Sequence, residues 1–98
     1  MRHFYRTHLT PAAVIQAADV FFPALQLAAS GNGGPRRRVF GGPLGNLTLS
    51  AKPEGGHYTF VEVRTDQMGE SRLDRNVKRF FVTLHRQADP AHRLEASY

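Results

Sequence analysis

Three glycine-containing clusters cut the middle of this chain into short pieces: Gly31-Asn32-Gly33-Gly34-Pro35, Gly41-Gly42-Pro43-Leu44-Gly45 and Lys52-Pro53-Glu54-Gly55-Gly56. The pieces between them are too short for stable helices, and the clusters carry the residues that tight turns need. Short segments joined by such turns pair as antiparallel strands. Leu25, Leu27 and Ala29 alternate weakly and read as a short strand, with Arg36 to Phe40 as its return. Leu47, Leu49 and Ala51 alternate with Thr48, Ser50 and Lys52, the pattern of a strand with one buried face. Tyr58 to Thr65 is dense in aromatic and β-branched residues, which suit a pleated surface.

Helices flank this central run. Residues 2–9 read as a strand, and Thr10-Pro11 then opens a helix over 11–22. Thr10 serves as N-cap, and Pro11 sits where its missing N–H does no harm. Val14, Ala18, Phe21 and Leu25 mark the buried stripe, and Pro23 should stop or kink the helix because it disfavours the α conformation at Phe22. The second helix begins after Ser71, which with Asp74 forms a capping-box pattern. Leu73, Val77, Phe80, Phe81, Leu84 and Ala88 form its apolar stripe; Asp74 and Lys78 make an i,i+4 pair; Pro90 ends it.

The expected fold is therefore α+β, in the order β-α-β-β-β-β-α or with one strand fewer. An antiparallel sheet of four or five strands carries both helices on one face, because each helix has one apolar stripe. Residues 1–90 form one domain and 91–98 a polar tail. By element order, though by no sequence motif, the chain resembles two groups. One is the TATA-binding-protein-like fold, whose half-domain runs β-α-β4-α. The other is the helix-grip group of Bet v 1 or START-like domains, of which this chain would be a shortened member. The resemblance implies the fold alone and carries over no functional residue.

Charge and cysteine content narrow the function. There is no cysteine, which removes disulfides, thiolate zinc sites and a cysteine nucleophile, and fits a reducing, cytoplasmic setting. The net charge is +5, and all of it lies in residues 1–53, where six Lys or Arg face the single acid Asp19. A basic excess suits a nucleic acid or an acidic protein as partner. The apolar run 11–29 resembles a leader or membrane span, but Gln16, Asp19, Gln26 and two prolines interrupt it. An acid in mid-span costs about 2.5–3.5 kcal/mol, so membrane insertion is not expected.

Two arginine groups are the candidate polyanion contacts. Arg36, Arg37 and Arg38 sit in or beside a strand; Arg75 and Arg79 belong to an outward stripe on the second helix with Arg72 and Arg86. Planar guanidinium forks suit phosphate and carboxylate oxygens. Aromatics interleaved with the arginines would strengthen a nucleic-acid reading, and Phe40 and Tyr58 are available for that.

Other chemistry has less support. His3, His8, His57, His85 and His92 show neither an HExxH form nor a cysteine pair, and read as scattered surface residues, with no metal or other cofactor expected. Ser71 lacks a nucleophile elbow, and no catalytic set emerges, so an enzyme ranks last. Both helices carry a Phe-Phe pair, whose members lie about 100° apart and cannot face one core equally. Phe21, Phe80 and Phe81 are assigned to the core, and Phe22 is the candidate for a pocket or subunit contact.

The favoured function is a non-catalytic binding module whose basic surface meets nucleic acid or an acidic protein. One alternative is a binder of a small apolar ligand walled by Phe40, Phe60, Phe81 and Leu84. Another is a homo-oligomeric assembly subunit, joined through a sheet edge or Phe22.

Overall fold

The computed structural model describes residues 1–30 and 34–88. The element order is β1 (Arg2–Thr7), α1 (Pro11–Phe21), a short 3-10 turn (Pro23–Leu25), β2 (Ala28–Ala29), β3 (Arg37–Gly42), β4 (Gly45–Glu54), β5 (Tyr58–Thr65) and α2 (Arg72–Ala88). This is the α+β order read from the sequence, with five strands. The expected helix stop at Pro90, the tail 91–98 and Gly31 to Gly33 of the first turn cluster lie outside the described residues.

The strands form one antiparallel sheet in the order β1-β5-β4-β3-β2. From β2 to β5 the chain meanders, and β1 closes the far edge by pairing with β5. Helix α1 therefore carries the chain across the sheet from one edge to the other. The β3–β4 hairpin turns through Pro43-Leu44, with Gly42 opposite Gly45. Gly45 has φ +127°, and a Cβ there would stand 2.7 Å from Asp66 Oδ1, so glycine is required.

Both helices pack on one face. Val14, Ile15, Ala18 and Phe22 from the α1 end, with Leu73, Val77, Phe80 and Leu84 from α2, meet Phe40, Leu47, Leu49, Ala51, Val61 and Val63 of the sheet. An aromatic cluster fills the centre: the Phe22 ring lies 5.2 Å from Phe40 and 5.0 Å from Phe80. No helix among the described residues is long and apolar enough to cross a membrane.

Several local expectations are corrected. Phe22, expected at a pocket or contact, is fully buried at the core centre, and Phe21 beside it is only half-buried. Val14, Ala18 and Phe22 follow a strict i, i+4, i+8 row, with the Phe22 N–H still bonded to the Ala18 carbonyl at 3.1 Å. Pro23 then tightens the chain into a 3-10 turn, and Gln26 turns it through φ 65°, so the strand expected over 25–29 shrinks to Ala28–Ala29. Lys52, Pro53 and Glu54, read as a turn, continue β4 opposite Phe60, Thr59 and Tyr58. β3 pairs with β4 only as far as Ser50, so Pro53 sits where the strand has a free side.

Asp74 does not pair with Lys78 on the helix surface. Its side chain is buried and accepts hydrogen bonds from His3 Nε2 (2.8 Å), Thr65 Oγ1 (2.8 Å), Ser71 Oγ (2.7 Å) and the Gly69 N–H (3.1 Å). Lys78 instead lies 3.6 Å from Glu70. Ser71 is the expected cap, accepting the Asp74 N–H at 3.0 Å. Burial pushes the Asp74 carboxyl up, but the bonds from His3, Ser71 and Thr65 outweigh it and hold the pKa at about 2. His3 is accordingly an interior residue rather than a surface histidine. It ties β1 to the start of α2.

Candidate functional site

Successive side chains on a strand point to opposite faces, and cross-strand partners share a face. The register therefore assigns the uncovered face of the sheet. One rung carries Arg2, Arg64, Thr48 and Val39; the next carries Phe4, Glu62, Ser50 and Arg37; a third carries Arg6, Phe60 and Lys52. Tyr58 and Glu54 complete the end of the face. Neither helix packs over these residues.

Aromatic rings are interleaved with cations here. Phe4 is 56% exposed and Tyr58 46% exposed, while Phe60 is half-buried beside them. The Phe4 and Phe60 rings stack with centroids 5.9 Å apart, and the His8 ring lies 4.6 Å from that of Tyr58. The Arg2 guanidinium stands 5.4 Å above Phe4. Arg6 stands 5.1 Å and the Lys52 ammonium 5.7 Å from the centre of Phe60. Such contacts stabilise a cation over a ring by about 0.5–1 kcal/mol at exposed sites.

The face holds five cations, Arg2, Arg6, Arg37, Lys52 and Arg64, and two carboxylates. Both carboxylates are engaged. Glu62 is bridged by Arg2 and by Arg64, the latter at 3.3 Å, and Glu54 pairs with Arg6 at 2.6 Å. Partial desolvation pushes the Glu62 carboxyl up, but the Arg2 and Arg64 guanidinium groups outweigh it and hold it below the ordinary carboxylate range. Among the described residues, Arg37 and Lys52 have no carboxylate partner. A hollow of about 380 Å³, lined by Arg37, Thr48, Ser50, Glu62 and Arg64, opens on this face. Two hydroxyls and two guanidinium groups surround it, with Glu62 as the one acceptor-only group.

The arginines singled out in the sequence are distributed over the molecule. Arg37 lies on the open face, opposite Ser50. Arg38 points to the helix side, where its Nε lies 3.0 Å from Asp19 of α1, and its Nη1 donates to the Gly34 carbonyl at 2.8 Å. Arg36 is exposed ahead of β3, and its carbonyl accepts the Ala51 N–H at 2.9 Å. Arg75 and Arg79 are exposed on α2, across the helix layer from the open face, with Arg79 donating to Asn76 at 3.2 Å. Arg37 thus lies on the opposite side of the sheet from the helix arginines.

The four proposed walls of an apolar pocket are likewise separated. Phe40 and Leu84 are fully buried in the core, Phe81 is half-buried and stacks on Tyr5 at 5.3 Å, and Phe60 lies across the sheet on the open face. A different hollow, of about 420 Å³, lies between the helices at Ala17, Val20, Phe21 and Thr83. Another, of about 480 Å³, lies at Tyr5, His8, Tyr58 and His85, where Tyr5 Oη and His85 Nδ1 are 3.4 Å apart. Among the described residues, no group of three or more His, Asp or Glu side chains stands close enough to hold a metal ion.

Arg2, Phe4, Arg6, Lys52 and Arg64 did not stand out in the sequence as candidates. Their signal was the period of two: Arg2-Phe4-Arg6 and Thr48-Ser50-Lys52 are alternate residues of their strands. On β1 the other set is His3, Tyr5 and Thr7, just as mixed in polarity, so the alternation does not say which set is wet. No protein-family model matches this chain, and neither a curated protein nor a solved structure matches it.

Proposed function

We propose that this protein is a non-catalytic nucleic-acid-binding module that uses the open face of its sheet. The observation that carries the reading is an uncovered face with five cations against two already-paired carboxylates, interleaved with Phe4, Phe60 and Tyr58. Cations neutralise phosphates and release counterions, which supplies affinity without regard to sequence. Aromatic rings among them offer contact to bases that a purely basic patch lacks. An acidic protein would be drawn by the same charge but gives no reason for exposed rings with cations held over them.

Arg37 and Lys52 make the leading phosphate contacts, because neither has a carboxylate to give up. Arg6 and Arg64 contribute by exchanging Glu54 or Glu62 for phosphate. The test is fluorescence anisotropy with labelled oligonucleotides across a salt series. Binding should weaken steeply with salt, the logarithm of affinity falling by about 0.7 per neutralised phosphate for each tenfold rise in salt for a single strand. Affinity that does not change with ionic strength would sink the reading.

A further inference from the structure

The rings and the hollow define which nucleic acid fits. We propose that the ligand is single-stranded, with one unpaired base stacked on the Phe4–Phe60 step and an adjoining phosphate in the hollow between Arg37 and Arg64. This rests on the open face being a nucleic-acid site.

In a duplex each base is stacked above and below, and only its edges reach a groove. A ring that works through its face can engage only a base that has left the stack. Phe4 and Phe60 present faces: each carries a cation above it, Arg2 over Phe4 and both Arg6 and Lys52 over Phe60, at 5.1 to 5.7 Å. The cations occupy the positions that a base would take. Phe4 and Phe60 sit on neighbouring strands and diagonal rungs, with ring centroids 5.9 Å apart and planes 29° from parallel.

Displacement of the cations supplies the rest of the contact. A base entering over Phe60 moves the Lys52 ammonium and the Arg6 guanidinium off the ring and towards the solvent side, where the backbone of the same strand passes. The hollow lies one strand further on. Arg64 and Thr48 share one rung, and Arg37 and Ser50 share the next. Two guanidinium groups and two hydroxyl donors converge there on the space that a phosphate would fill. Glu62 lines the same hollow, bridged by Arg2 and Arg64; Arg64 exchanges its bridge for the phosphate, and Arg2 keeps the carboxylate paired. That carboxylate repels an anion beside it and sets the phosphate nearer Arg37.

The experiment compares three probes of equal length by anisotropy: a labelled oligothymidylate, the abasic deoxyribose-phosphate chain, and a duplex. The oligothymidylate should bind at least about fivefold more tightly than either of the others, the low end of what one base–aromatic stack is worth. Phe4→Ala should remove that advantage and leave abasic binding unchanged, while Phe4→Trp should restore it and show quenched indole fluorescence on binding. Arg37→Ala should weaken all three probes. Phe4 is exposed, so neither substitution at that position threatens the fold. Equal binding of the oligothymidylate and the abasic chain, or of the single strand and the duplex, would overturn the stacking inference while leaving a charge-driven interface. Failure of all three probes to bind at low salt would overturn both readings.

Discussion

Phe40 and Phe4 stand on opposite faces of the same sheet. Phe40 packs 5.2 Å from Phe22, which in turn lies 5.0 Å from Phe80, and it loses all contact with water. Phe4 keeps over half its surface exposed and carries an arginine above its ring. On the covered face the ring's neighbours are aliphatic and aromatic, and its contribution is burial. On the open face its neighbours are the Phe60 ring and a guanidinium, and its contribution to the fold is small. The same side chain is thus structural on one face and available for binding on the other.

The comparison breaks first where the covered face is cut. Phe22→Ala should destabilise the protein by about 3–5 kcal/mol, the cost of a large buried ring and the cavity it leaves. Phe4→Ala should cost within about 0.5–1 kcal/mol. Urea denaturation of both variants measures the gap; similar losses would mean that the open face is also a core.

The buried carboxylate under the covered face is the next lever. Asp74→Asn leaves the Ser71, Thr65, His3 and Gly69 donors around a group that can accept fewer of them, and should cost about 3 kcal/mol by the same assay. No comparable loss should follow from Glu62→Gln on the open face, where water replaces the lost bonds.

Acid sharpens the same contrast. The Asp74 carboxyl titrates at about 2 in the folded protein against 3.8 for the free side chain. Its stabilisation is therefore fully present above pH ~4 and is lost as pH falls towards ~2, by an amount on the order of 2 kcal/mol. Denaturation midpoints followed down through that window should fall in the wild type. They should fall less in Asp74→Asn, which keeps the acid sensitivity from Glu62 and Asp66, both also held low. A wild-type stability that is flat across that window would contradict the role given to Asp74.

The smallest effect on stability should come from the open face's free cations. Arg37→Ala and Lys52→Ala should each shift unfolding by under about 0.5 kcal/mol. Each should also reduce the salt slope of oligonucleotide binding by about 0.7. The same substitution at Arg75, across the helix layer, should leave that slope unchanged. A slope that responds to Arg75 and not to Arg37 would move the interface to α2.

Local rules made much of the architecture legible. Thr10-Pro11 and Ser71 marked helix starts because capping is decided by residues three apart in sequence. The glycine clusters marked hairpins because positive φ is a property of one residue. The aromatic and β-branched run Tyr58–Thr65 coincides with β5 from end to end. Misreadings arose where a distant partner mattered. Lys52-Pro53-Glu54 looks like a turn, and is held extended by β5. Asp74 looks like a surface partner for Lys78, and is drawn inward by His3, a residue 71 positions away.

The sequence by itself determined the class of fold, the strand count to within one, both helices, and a basic excess confined to residues 1–53. Only the tertiary structure decided which side of β1 is wet and which side chains of neighbouring strands meet. On β5, Val61 and Val63 alternate with Glu62 and Arg64, and the same parity places the aromatic Tyr58 and Phe60 on the charged side. Val61 and Val63 were selected because their cross-strand partners Leu49 and Ala51 face the helices. That choice carried Phe60 outward beside Phe4 and Arg6, which reach β5 only because β1 closes the opposite edge of the sheet from β2. Neighbours brought together by strand pairing are set by the register, and register is a property of two segments at once.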